Sequence, residues 1–93
     1  MEPNIQKLIS PQRKKIDAID KKLIELLAKR NDIVMLVGEI KKTYGVQIKD
    51  EKREKEIKQV RRQLAVKYGL NAKRLDEVFE VIISWSRSAQ RKK

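Results

Sequence analysis

Arg30, Lys41, Arg53, Glu54, Ser86 and Gln90 are polar side chains standing where the local hydropathy pattern asks for apolar ones. Arg30 is the clearest case. An apolar stripe runs through Ile16, Ile19, Leu23, Leu26, Arg30, Ile33, Val37 and Ile40, stepping alternately by three and four residues. That spacing describes a helix face buried against another helix. A guanidinium keeps its charge inside a protein, and burying one unpaired costs several kcal/mol, so something anionic should meet it. A lone seam arginine can also snorkel or pair with a structural carboxylate. Lys41 weakens that plainer reading, because it lies eleven residues on, about three turns, and projects from nearly the same face.

These residue types suit one kind of ligand. Arginine grips carboxylates, lysine and glutamine donate to an oxygen, and glutamate accepts from a hydroxyl. Together they describe a small anion carrying carboxylates and a hydroxyl, enclosed between helices. Taken singly, Arg53 and Glu54 also fit a solvated helix start, and Gln90 an exposed terminus. The chain has no cysteine and no histidine, which removes thiol chemistry, the common zinc and haem ligand sets, and Ser-His or Cys-His nucleophiles. No metal is expected. What remains is catalysis by positioning and by electrostatic stabilisation.

The elements that must carry these groups are helices. Ser10-Pro11 reads as an N-cap followed by proline at the first helical position, with residues 1–9 expected to fray. The helical pattern then runs unbroken to Thr43 and ends near Tyr44-Gly45, with Gly38 permitting close approach of another backbone. A loop from Gly45 to Lys49 leads to a second helix capped by Asp50, striped by Ile57, Val60 and Leu64, and ended by Gly69. Asn71 caps a third helix striped by Leu75, Val78, Phe79, Ile82 and Ile83, a face that carries on to Ser86 and Gln90. Residues 91–93 are expected to fray. The fold class is all-α, with three helices per protomer (long, short, medium) in one domain spanning residues 1–93.

The first helix would extend roughly 50 Å, whereas a compact monomer of this size has a radius of gyration near ~12 Å. One chain cannot bury such a helix along its length. An intertwined homodimeric helical bundle resolves the mismatch.

A net charge of +11 implies attraction to anions, whether nucleic acid, phosphate or a carboxylated metabolite. A nucleic-acid-binding helical dimer leaves the seam positions of Arg30 and Lys41 unexplained, because phosphate-binding cations belong on a solvated face. A purely structural dimerisation module predicts no small-molecule binding at all. No stretch reads as a signal peptide or membrane span, so a cytoplasmic location with no membrane partner is the default expectation.

The run QRKKIDAIDKKLIELLAKRNDIVMLVGEIKK, followed by IKDEKREKEI and closed by IISWSRSAQ, closely resembles the all-helical chorismate mutase family over essentially the whole chain. The resemblance implies an isomerase that rearranges chorismate to prephenate, on the way to phenylalanine and tyrosine, without a cofactor. It also implies a three-helix protomer intertwined as a homodimer with two active sites. Carried onto this chain, Arg30 would bind one substrate carboxylate, and Arg13 would reach another from the opposite protomer. Lys41 and Gln90 would donate to the ether oxygen of the breaking bond. Asp50, Arg53 and Glu54 match the short helix's site segment, where the glutamate accepts from the ring hydroxyl. Ser86 matches a serine near a carboxylate, and Val37 and Ile83 match apolar walls. Trp85 and Arg87 flank the site helix without displacing a family residue.

Helix geometry supports a shared site independently. Arg13 precedes Arg30 by seventeen residues, about 25 Å along one helix, so no small molecule touches both in one chain. Isochorismate-pyruvate lyase, a relative of similar fold and pocket, is the nearest alternative. Glu54 speaks for the mutase, since the lyase is expected to carry an apolar residue there.

Overall fold

The computed structural model describes residues 4–47 and 50–91. Three helices follow one another: α1 (Ile5–Thr43), α2 (Glu51–Lys67) and α3 (Ala72–Arg91). No strand occurs among the described residues, so the chain is all-α in the expected long, short, medium order. Arg91, expected to fray, is instead the last residue of α3, whereas 92–93 and the 48–49 part of the α1–α2 loop lie outside the described residues. No helix among those described is long and apolar enough to cross a membrane.

Each helix end has a local cause. The start of α1 departs from expectation, because Asn4 rather than Ser10 is the cap. The Asn4 side-chain oxygen accepts from the backbone N–H groups of Gln6 at 3.1 Å and Lys7 at 3.4 Å. With those donors satisfied, the helix opens at Ile5 and Pro11 falls inside it. A proline there forfeits one backbone bond, and a continuous helix on either side tolerates the loss.

The caps of α2 and α3 are as expected. The Asp50 carboxylate accepts from the Arg53 N–H at 3.1 Å, and the Asn71 amide oxygen from the Arg74 N–H at 3.0 Å. Both internal helix ends are closed by glycine. Gly45 and Gly69 adopt φ of 68° and 69°, a left-handed conformation that side-chain-bearing residues disfavour. Val46 N–H then reaches back to the Lys41 carbonyl at 2.7 Å, and Leu70 N–H to the Ala65 carbonyl at 2.8 Å. These are Schellman endings, in which otherwise orphaned helix carbonyls find donors.

The chain divides into two units, residues 1–32 and 33–93. In the first, no described residue is buried, and Ile16, Ile19, Leu23 and Leu26 are 54–60% exposed. The expected burial of the α1 seam is therefore not achieved here within one chain.

The second unit has a packed interior between α2 and α3. Ala65 is fully buried, and beside it stand two buried charged groups, Arg61 and Asp76. Asp76 takes Arg62 Nε at 3.3 Å on one oxygen and faces Arg61 Nε at 3.8 Å with the other. The Arg61 guanidinium also lies 4.6 Å from the centre of the Phe79 ring. A buried arginine is tolerable when a carboxylate and an aromatic face meet it.

This cluster turns α2 away from the expected stripe. Val60 and Leu64 are 54% and 45% exposed, while Glu54, Ile57, Arg61 and Ala65 face inward. The inward face is a three-and-four pattern again, with charge in two of its places. On α3 the expected face largely holds. Leu75, Phe79, Ile82 and Ile83 are half-buried, and Val78 is exposed.

Candidate active site

The last turns of α1 meet the end of α3 at Gly38. A Cβ placed on that glycine would lie 2.8 Å from Gln90 Cγ and 3.4 Å from its Cα. Only glycine lets the two helices approach so closely, and the neighbour it admits is the Gln90 side chain and the α3 backbone carrying it. Gln90 Nε2 donates to the Val34 carbonyl at 3.0 Å. An amide nitrogen has two N–H donors and this bond uses one, so the contact orients the NH2 end and leaves a second donor. Gln90 is half-buried rather than exposed. Lys41, one turn beyond Gly38 on α1, is half-buried too.

Glu54 and Arg87 make the second fixed contact. Arg87 Nη2 of α3 pairs with Glu54 Oε1 of α2, and both side chains are about one-third exposed. They border a cavity of about 350 Å³ with Ile83 and the charged side chains of Lys58, Arg61, Asp76 and Glu80. Glu54 and Ile83 thus border the same cavity. Arg87, expected only to flank the site, is bonded to one of its members.

The other candidates are placed as follows. Ser86 is half-buried on α3, and its hydroxyl donates to the Ile82 carbonyl at 3.0 Å. Val37 is 37% exposed. Asp50 and Arg53 are exposed, and the Asp50 carboxylate is engaged as the α2 cap. In the first unit Arg30 is half-buried, while Arg13 is exposed and donates to Gln6 Oε1 at 3.5 Å. Among the described residues no group of three or more acidic side chains is arranged to hold a metal ion.

A chorismate mutase type II family description matches residues 12–91. The chain belongs to that family. A chorismate mutase of Methanocaldococcus jannaschii is 35% identical over 79 residues, which cover 85% of this chain and 80% of that protein. The T-protein of Haemophilus influenzae is 39% identical over 66 residues, 71% of this chain and 18% of its own length. The bifunctional chorismate mutase/prephenate dehydratase of Buchnera aphidicola (subsp. Acyrthosiphon pisum) is 35% identical over 80 residues, 86% of this chain and 21% of its own. The chain spans about a fifth of those two longer proteins. As a chorismate mutase family member it is an enzyme of the isomerase class, and none of these relatives points to a nucleic-acid-binding or purely structural role.

The matched stretch contains every candidate from Arg13 to Gln90. Arg61 and Asp76 are not among the residues that the sequence pattern singles out, and Arg87 is there only as a flanking residue. A signal for two of them was present: Arg61 follows Ile57 by four residues, and Arg87 follows Ile83 by four. Each is a cation on an apolar stripe, the criterion that singled out Arg30.

Proposed function

We propose that this protein rearranges chorismate to prephenate in the cytoplasm, without a cofactor, as a homodimer whose two sites each draw on both chains. The observation that carries this reading is the fixing of Gln90 against Val34 and Gly38 in a chain of this family. A glutamine donor held by its own carbonyl partner suits an oxygen that gains charge during a reaction. The dimer is supported by the α1 seam, whose seven aliphatic residues are 37–63% exposed. Covering them would contribute roughly 1–2 kcal/mol each.

Chorismate carries two carboxylates, and the reaction requires its enolpyruvyl side chain folded over the ring. Arg30 of one chain and the arginine at position 13 of the other clamp these carboxylates and hold the folded conformer, an orientational contribution. As the C–O bond stretches, negative charge grows on the ether oxygen. Lys41 and the second N–H of Gln90 donate to that oxygen more strongly in the transition state than in the ground state, so binding becomes rate. Glu54 accepts from the ring hydroxyl, Arg53 and Ser86 adjoin the carboxylates, and Val37 and Ile83 shape the walls. No proton transfer and no covalent intermediate is needed.

The purified protein should convert chorismate to prephenate, and far faster than it releases pyruvate from isochorismate. Mixed dimers test the shared site. Arg13→Ala and Lys41→Ala homodimers should each be nearly inactive. Refolding them together gives about half heterodimers, each with one intact pocket of two, and so roughly a quarter of wild-type activity by two-fold symmetry. Confirmed heterodimers without recovery would place both residues in one chain's pocket or Arg13 outside it.

A further inference from the structure

We propose that Arg87 is a positioning residue whose task is to neutralise Glu54, so that a carboxylate can face a dianionic substrate. The inference rests on the reading of Glu54 as acceptor for the ring hydroxyl. That reading carries an electrostatic difficulty. An ionised glutamate is the stronger acceptor, yet an uncompensated carboxylate beside a dianion repels it, most strongly where water is partly excluded. Glu54 is two-thirds shielded from solvent, so screening does not remove the repulsion.

The Arg87–Glu54 pair resolves the difficulty with geometry already present. The guanidinium engages Oε1 and leaves Oε2 to accept from the hydroxyl. It approaches from α3 while the carboxylate rides on α2, so the pair also fixes the glutamate's rotamer across the helix–helix junction. Its position has no other evident purpose. Arg87 sits between Ile83 and Gln90 on the inward face of α3, where an apolar residue would cost less to bury. The arrangement keeps Glu54 selective for a donor. A neutral hydroxyl is accepted, whereas an added carboxylate at the same point would meet Oε2.

A kinetic cycle between the two residues decides the matter. Arg87→Met keeps the aliphatic length and removes the charge. In the wild-type background it should raise KM for chorismate about tenfold with kcat within roughly twofold, because the repulsion acts on the bound dianion itself. Arg87→Lys should return KM to within about threefold of wild type. In a Glu54→Gln background, where no carboxylate needs neutralising, Arg87→Met should change KM by less than ~2-fold. A purely structural arginine would instead lower the folded fraction, and with it apparent kcat, equally in both backgrounds. Equal effects in both backgrounds overturn the proposal and leave the role of Glu54 intact. A Glu54→Ala enzyme, which has no side-chain acceptor, with wild-type constants overturns the acceptor reading, and the proposal falls with it.

Discussion

Residues 4–32 and the α2–α3 pair are both helical throughout their cores, yet they solve the burial problem in opposite ways. The α2–α3 pair closes on itself: Ala65 is sealed, Arg61 and Asp76 compensate each other, and Phe79 receives the guanidinium. The first unit carries an aliphatic stripe as regular as any in the chain and buries none of it. Regular periodicity alone therefore does not announce where a face is buried. It announces that a face must be buried, and the second unit shows that a less regular, partly charged face can be covered by its own chain.

The largest expected effect breaks the first unit. Leu23 lies mid-seam and is 54% exposed. Leu23→Lys should abolish the proposed dimer, since an ammonium held in a seam that the dimer covers would cost about 3 kcal/mol or more per site. Turnover should drop at least ~100-fold, with the sedimentation coefficient falling to that of a monomer. A Leu23→Lys protein that stays dimeric and active would show that the seam is not the interface.

A smaller effect sharpens the second unit. In an ordinary helix interior, Gly→Ala stabilises by about 0.5–1 kcal/mol. At Gly38 the added methyl meets Gln90 Cγ at 2.8 Å, so the glutamine must move off the Val34 carbonyl. Gly38→Ala should lower kcat about tenfold while KM stays within twofold, because the role proposed for the displaced donor is to act on charge that develops in the transition state. In a Gln90→Ala background the same substitution should have almost no kinetic effect. Wild-type kcat in Gly38→Ala would mean that the close approach serves packing alone.

The helix ends show what a sequence makes legible. Asp50, Asn71, Gly45 and Gly69 are local devices, settled within a few residues, and each acts where its type predicts. Ser10 is not the cap because the helix already opens at Asn4, so the N–H groups of Gln12 and Arg13 that a Ser10 cap would serve lie inside α1 and find carbonyl partners there. The α2 stripe failed for a different reason. Whether Val60 or Arg61 faces inward depends on a carboxylate fifteen residues beyond Arg61 and on an aromatic ring, and neither is visible in the helix's own pattern. Among candidate site residues, Gln90 and Glu54 are singled out by placement and family resemblance together. Their partners, Val34 and Arg87, are not, because such contacts join different helices.

Asp50 is where the two kinds of legibility overlap, and the smallest predicted effect separates them. Family resemblance assigns it to the site, while the structure engages its carboxylate at the Arg53 N–H. A cap and a ligand contact make different demands on the side chain. Asparagine caps a helix about as well as aspartate, whereas alanine forfeits the bond at a cost of about 1 kcal/mol. Asp50→Ala should therefore lower Tm by roughly 4–8 °C, provided unfolding stays two-state. Asp50→Asn should hold Tm near wild type and kcat/KM within about twofold if capping is the whole role. A fall beyond ~10-fold in kcat/KM at unchanged Tm would show that the negative charge itself acts on the site, and would move Asp50 from the scaffold of α2 into the binding machinery.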